Sequence, residues 1–298
     1  MMNDFLSRMT CKEDNIQRRA CDEIVFLICY EIHLLRFTSY MTETKLIRSY
    51  GRRKARKLRG TSQKAYEELL PLLKFDPTNT SLRSPEGPGN PWITTPSTRA
   101  RDDGVVCDTS KQNPPDTWLE IGFGGGEHML EQLAQNPAIT MIGCEPFMNG
   151  VAKLLTHLLP EDYPRVKIWH EDVRLLLEII PPSYFNRAFI LFPDPWPKKR
   201  HHVRRLITKD FMDQLCLTLK EGAFLYVASD DVPYIEQIQE VLYNYPGLKL
   251  CLGPASADPS TWEKRPEGWP ATRYEQKALT KGKPCAYMVF RKENLSSL

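Results

Sequence analysis

The sequence predicts an α/β fold, a doubly wound and mostly parallel seven-stranded sheet with an antiparallel edge. Two observations carry this expectation. Short apolar strand patterns alternate with helical ones from Thr117 onward, and the first of those strands runs into the glycine-rich turn Gly122-Phe123-Gly124-Gly125-Gly126. Strands separated by helices are joined by crossovers, which makes them parallel and places helices on both faces of the sheet.

In chain order, a strand over 117–122 leads into a helix over 127–135, and a strand over 140–145 into a helix over 149–159. A third strand, 166–170, precedes a helix over 174–180. A fourth spans 188–192, and a fifth, 223–229, leads into a helix over 232–244. Two last strands, 248–252 and 285–292, form the antiparallel edge. The stretch between them carries Trp262, Trp269 and the run TRYEQK from Thr272, and is too long for a hairpin turn. Loops of that size commonly bind or cover a ligand.

This domain occupies 117–298. Ahead of it, residues 76–116 hold seven prolines among Ser, Thr, Asn and Gly, a composition that reads as a surface tether. Residues 41–75 form a basic arm and a helix. Arg48, Arg52, Arg53, Lys54, Arg56, Lys57 and Arg59 follow one another without an acid. Such a run is what a solvated face looks like, and equally what a flexible arm on phosphates looks like. A helix over 63–70 comes next, which Pro71 should stop. Residues 1–40 carry no recognisable motif, and Met41 is a candidate natural start.

Composition narrows the function classes. With 298 residues, 41% hydrophobic and 26% charged, the chain can build a full core, and a net charge of +3 does not by itself mark a nucleic-acid binder. Eight scattered cysteines, with no CxxC pair and no zinc-finger spacing, read as reduced thiols of a cytoplasmic protein and point to no metal. The apolar run 24–35 is too short to span a bilayer, is interrupted by Glu31 and His33, and lacks the marks of a secretory signal. No membrane role is expected.

Chemistry concentrates at the strand ends. Glu120, Gly122, Gly124 and Gly126 make an E-x-G-x-G-x-G series across the first strand-to-helix turn, where glycines let a ligand approach the main chain and the next helix presents free N–H groups. A nicotinamide dinucleotide would call for G-x-G-x-x-G, and a carboxylate at Glu120 would repel its pyrophosphate. The same carboxylate attracts an ammonium or a sulfonium. Glu145, at the second strand tip, is placed to accept from ribose hydroxyls, and Asp172, after the third, from an adenine amine. As a set these acids suit S-adenosylmethionine better than NAD, although each alone could be an N-cap or a solvated loop residue. The fourth strand ends in FPDPWPKKRHHVRR, which presents Asp194 and Trp196 and then turns basic. Trp196 is as often core as a platform for a base.

The series E-x-G-x-G-x-G, GCEP, HEDV, FPDPWPKKRH, ASDD and TRYEQK, between about Ile47 and Phe290, resembles the tRNA (guanine-N7-)-methyltransferase family in its single-subunit bacterial form. The resemblance implies a class I S-adenosylmethionine-dependent methyltransferase fold and methyl transfer to N7 of a guanosine in the variable loop of tRNA. It implies cofactor contacts from Glu120, Glu145, Asp172 and Asp194 around the glycines Gly122, Gly124 and Gly126. Substrate contacts are implied from Lys198, Asp230, Thr272, Arg273, Tyr274 and Glu275, and RNA contacts from Arg200, His201, His202, Arg204 and Arg205, to which the charge run adds Arg52, Arg53 and Lys54. A monomer with no obligate protein partner is expected.

Guanine N7 carries an exposed lone pair beside O6, so no proton need leave before it attacks a methyl group. The site must align nitrogen, methyl and sulfur and provide a setting for positive charge that moves to the purine. Asp194 is the catalytic candidate for both tasks, with a turn residue between prolines as the plain alternative. Asp230 suits the N1–H and amino edge of guanine, and Lys198 suits O6 or a phosphate. Three other functions fit parts of the sequence. Pro193-Asp194-Pro195-Trp196 distantly resembles the turn of exocyclic-amine methyltransferases, a non-catalytic RNA-binding protein could keep the same surface, and an NAD-dependent oxidoreductase is disfavoured by Glu120.

Overall fold

The computed structural model describes residues 57–76 and 116–293. The extension 1–40, the arm residues Arg52, Arg53 and Lys54, and most of the tether lie outside the described residues. Seven strands form one sheet: β1 (Thr117–Ile121), β2 (Thr140–Cys144), β3 (Val166–Trp169), β4 (Phe185–Leu191), β5 (Leu219–Ser229), β6 (Leu248–Leu252) and β7 (Ala286–Lys292). Their order is β3-β2-β1-β4-β5-β7-β6. β1 to β5 are parallel, while β7 lies between β5 and β6 and is antiparallel to both. The chain winds one way from β1 to β3 and the other way from β4, so the strand tips separate at the β1/β4 boundary, where ligands of such sheets bind.

Among the described residues seven α-helices accompany the strands: α1 (Gly60–Leu73), α2 (Glu127–Gln135), α3 (Met148–His157), α4 (Val173–Leu177), α5 (Lys209–Thr218), α6 (Val232–Leu242) and α7 (Arg273–Thr280). Alternate strand residues point to opposite faces. One face buries Trp118, Met141, Phe189, Ala228 and Tyr287 in a cluster with Leu73 of α1, Met129 and Leu133 of α2, and Val151, Leu154 and Leu155 of α3. Aromatic rings run along it, with Phe189 stacked on Tyr226 at 4.8 Å and Trp269 set edgewise to both Tyr226 and Tyr287. The opposite face buries Leu119, Ile121, Ile190 and Val227.

Four elements differ from the sequence expectation. α1 runs through Pro71 to Leu73, because the missing N–H falls in the last turn and the end is held from outside: Lys74 N donates to Leu70 O (2.8 Å), Phe75 N donates to Ile168 O (2.8 Å), and Leu73 and Phe75 are buried. α4 is shorter than expected, five residues starting at an Asp172 cap. α5 lies between the basic run and the fifth strand, where the sequence reading predicts no element; its start is fixed by Thr208, whose Oγ1 accepts from Phe211 N, and it buries Phe211, Met212 and Leu215. The excursion between β6 and β7 contains α7.

Candidate active site

The glycine turn is shaped by close packing below and open space above. Gly126 has φ 79°, and a Cβ there would lie 2.4 Å from Leu154 Cδ1. A Cβ on Gly150, in the first turn of α3, would lie 2.3 Å from Gly124 O, so helix and loop backbone touch. At Gly122, exposed at the end of β1 with φ 74°, an added Cβ would meet nothing within 4 Å. A side chain there would project into the space above the strand tips.

Three acids from the sequence expectation stand around that space, each already in hydrogen bonds. Glu120 is buried beside Gly143 and Phe189, with Oε2 2.9 Å from His128 Nδ1. Glu145 accepts from Gly124 N and from Phe147 N, one on each oxygen, both at 2.8 Å. Burial pushes its carboxyl up to about 7; the two amides pull it back, and the charges of Asp194 and Glu120 add to the rise. Asp172 caps α4 and takes three N–H groups of Arg174, so most of its roughly four acceptor sites are filled. Glu145 and Glu120 thus make a buried cradle of carboxyl groups.

Asp194 stands exposed on the loop after β4, near enough to Glu145 for each to feel the other's charge. The loop is bracketed by two bulky residues in the left-handed region, Phe192 at φ 52° and Trp196 at φ 45°, a conformation such residues rarely hold without outside support. Trp196 is half-buried. The Arg204 guanidinium lies 4.9 Å from its ring centroid and His201 meets it edgewise at 6.0 Å, so the tryptophan organises the basic segment. That segment is a 3-10 helix, Lys199–Arg204, with Lys198, Lys199 and Arg200 exposed. Desolvation, then the charges of Arg204, Arg200 and Lys198, holds His201 below the usual histidine value. Arg205, expected among the RNA contacts, lies in a different setting from its neighbours. It is buried, and its guanidinium donates to Pro195 O, Pro233 O and Gln237 Oε1.

Asp230, at the tip of β5, is 3.6 Å from Lys283 Nζ. The run Thr272 to Glu275 divides in two. Thr272 and Glu275 are buried and form a capping box, Thr272 Oγ1 accepting from Glu275 N at 3.0 Å and Glu275 Oε2 from Thr272 N at 3.3 Å. Glu275 Oε1 also accepts from Tyr287 Oη and pairs with Arg265, so its ion-pair partner is Arg265 and not its neighbour Arg273. Arg273 and Tyr274 are exposed. Tyr274 Cε2 would be 3.2 Å from a Cβ on Gly124, which sets this ring against the glycine turn and brings two motifs about 150 residues apart in sequence to one crevice.

Sequence reasoning missed His128, Glu127, Lys153 and Tyr66. The strand-to-helix reversal carries His128 back over Glu120, and an apolar helix stripe containing one histidine and one glutamine, Gln132, was the available signal. Glu127 pairs with Lys153 of α3 beside Gly125. Tyr66 of α1 meets His170 edgewise, and His170 Nδ1 is 2.7 Å from Glu145 O. Among the described residues no group of three His, Cys, Asp or Glu could hold a metal ion, and no helix is long and apolar enough to cross a membrane.

The open space over Gly122 and the burial-raised Glu145 fit a ligand bearing positive charge and hydroxyl donors, which S-adenosylmethionine is. A parallel sheet with this turn at its switch point and carboxylates at successive strand tips defines a class I S-adenosylmethionine-dependent methyltransferase. The family described as "Putative methyltransferase" matches residues 115–288. The chain is 37% identical to the tRNA (guanine-N(7)-)-methyltransferase of Rhodospirillum rubrum over 84% of its own length and 89% of that protein's. It is 39% identical to the enzyme of the same name from Roseobacter denitrificans, covering 82% and 95%, and 44% identical to that of Ruegeria pomeroyi, covering 59% and 73%. The chain belongs to the tRNA (guanine-N7-)-methyltransferase family. Among solved structures it is similar to the 16S rRNA methyltransferase KamB, at 16% identity and a TM-score of 0.43 over 60% of this chain and 88% of that one.

Proposed function

We propose that this chain methylates N7 of a guanosine in the variable loop of tRNA, using S-adenosylmethionine. The observation that carries the reading is the convergence of Asp194, Glu145 and Tyr274 on the glycine turn: Asp194 and Glu145 interact electrostatically, burial and then the charges of Glu145 and Asp194 raise the Tyr274 hydroxyl, and Tyr274 lies against Gly124. S-adenosylmethionine, when bound, supplies the electrophilic methyl. Glu145 accepts from the ribose hydroxyls, Asp172 offers its remaining acceptor capacity to the adenine amine, and Glu120 faces the ammonium end with Gly122, Gly124 and Gly126 leaving room.

Asp194 orients the reacting groups and opposes the positive charge that develops on the purine; it takes no proton, because N7 has none to give. Asp230 accepts from the N1–H and amino edge, Lys198 donates to O6 or a phosphate, and Arg273 and Tyr274 close over the base. Thr272 and Glu275 support that pair from beneath. The exposed Lys198, Lys199 and Arg200, with half-buried Arg204 and the two histidines, take the RNA backbone, and Arg52, Arg53 and Lys54 of the arm are a second contact. All these groups come from one chain, which supports a monomeric enzyme, and the names of its tRNA-modifying relatives support a place in the cytoplasm. The test is transfer of labelled methyl from S-adenosylmethionine to unmodified tRNA, followed by borohydride and aniline cleavage. Cleavage at one variable-loop guanosine is expected; label without cleavage would favour an exocyclic amine instead.

A further inference from the structure

The last arginine of the basic run does not share the environment of the others. The Arg205 side chain is 1% exposed. Its backbone N–H donates to His202 O at 2.9 Å, which ends the 3-10 helix. Its Nε donates to Pro195 O at 2.8 Å, and one Nη donates to Pro233 O at 2.9 Å and to Gln237 Oε1 at 3.0 Å. The other Nη stands 3.8 Å from Asp231 Oδ1, and the guanidinium lies 4.8 Å from the Tyr234 ring centroid. Gln237 is itself held by donating to Ile207 O, and Tyr234 by accepting from Ile207 N.

These contacts join two places that matter for the reaction. Pro195 follows Asp194 directly. Asp231 follows Asp230 and caps α6, its Oδ1 accepting from Tyr234 N. The loop bearing Asp194 has two left-handed bulky residues, and the prolines at 193 and 195 have fixed φ and no N–H, so the loop cannot hold itself by donating from those positions. Phe192 N anchors its start by donating to Ala228 O at 2.8 Å, and Arg205 Nε holds it from outside at Pro195 O. A guanidinium can do so because its planar fork serves several acceptors in fixed directions at once; the point charge of a lysine cannot.

We propose that Arg205 is a positioning residue that fixes Asp194 relative to Asp230, binding no RNA itself. The inference rests on the role given to Asp194 above. The test compares Arg205→Lys, Asp194→Asn and the double variant in the full-length protein, by thermal melting, cofactor and tRNA affinity with salt dependence, and single-turnover methyl transfer. Arg205→Lys is expected to melt cooperatively, to keep both affinities and the salt slope of tRNA binding, and to lose on the order of 30–100-fold in the single-turnover rate, the scale of an ångström-level misplacement. In the Asp194→Asn background the same substitution is expected to cost less than about 3-fold, because the group it positions is gone. An unchanged rate, an equal loss in both backgrounds, or a loss that follows tRNA affinity and salt slope would overturn the proposal. Gln237→Leu, which keeps the guanidinium and removes one of its anchors, is the second variant should Arg205→Lys not fold; it should show a smaller loss at the same step, and no loss there overturns the proposal equally. Full activity of Asp194→Asn alone would overturn the role of Asp194 and this inference with it. Transfer to an atom other than N7 would overturn only the functional reading, since the rate and its coupling to Asp194 are read on whatever product forms.

Discussion

His128 Nδ1 lies 2.9 Å from Glu120 Oε2, with both side chains buried. The rest of the chain of contacts assigns the proton. Asn136 Nδ2 donates to Gln132 Oε1 at 3.2 Å, which turns the Gln132 amide nitrogen toward His128 Nε2 at 3.2 Å. Nε2 therefore accepts, and Nδ1 carries the hydrogen given to Glu120. A carboxylate at the cofactor end of β1 is thus held by a relay running along α2. His128→Phe, which fills the space but donates nothing, should lower stability by about 1–3 kcal/mol, the cost of a buried acceptor left unsatisfied. It should also weaken S-adenosylmethionine binding, measured by calorimetry. Unchanged cofactor affinity would confine the relay to folding.

Glu145 gives a pH dependence whose sign is fixed by its raised carboxyl. Ribose hydroxyls need the ionised form as acceptor, and the folded protein holds the group protonated up to about pH 7. Cofactor affinity should therefore rise with pH through 7, by at most tenfold per unit, with a proton released on binding. Calorimetry in buffers of different ionisation enthalpy detects that proton, and Glu145→Gln should remove it. For the ligand-free protein the linkage runs the other way. The folded state keeps a proton that the unfolded state has lost above its ordinary value of 4.5, so this group's contribution to stability is present at low pH and is lost as pH rises from about 4.5 to 7, at up to about 1.4 kcal/mol per unit.

The capping box separates two pairs that look alike in the motif TRYE. Thr272→Ala should cost about 1 kcal/mol by loss of the cap. Glu275→Ala should cost more, since it also strands Arg265 and the Tyr287 hydroxyl. Arg273→Ala and Tyr274→Ala, on exposed positions, should melt within a degree or two of the parent and lose methyl transfer instead. Denaturant midpoints set beside turnover numbers distinguish the pairs, and a stable but inactive Glu275→Ala protein would assign that carboxylate to substrate.

What the sequence shows well is local. The glycine turn, the parallel strands and the acids at their tips follow from periodicity and from neighbours within a few residues. The insertion of β7 between β5 and β6 pairs residues as far apart in sequence as Leu248 and Lys292 or Phe224 and Arg291, and leaves no periodic mark. The burial of Arg205 is not legible in the sequence, because seven basic residues within eight positions of a motif look alike to a charge count. The physical signal lies in its alternation with Ile207: both are buried, two positions apart, on the chain leading into α5. Glu275 and Arg273 illustrate the same limit, since helix residues two positions apart point to different sides and only a known helix start decides which side faces the crevice.

The basic surface then supplies a contrast between neighbours. Arg200 is exposed and Arg204 lies across Trp196, whereas Arg205 is buried. Arg200→Gln with Arg204→Gln should weaken tRNA binding and reduce the slope of log affinity against log salt by about 1.4–1.8, the release expected for two phosphates. The cofactor affinity of the same protein should not change, since neither side chain reaches the glycine turn. Binding titrations between low and physiological salt measure the slope, and the Arg205→Lys protein serves as the internal control because its slope should match the parent. A double variant with the parental slope would move the RNA contact away from the 3-10 helix and toward the arm at Arg52, Arg53 and Lys54.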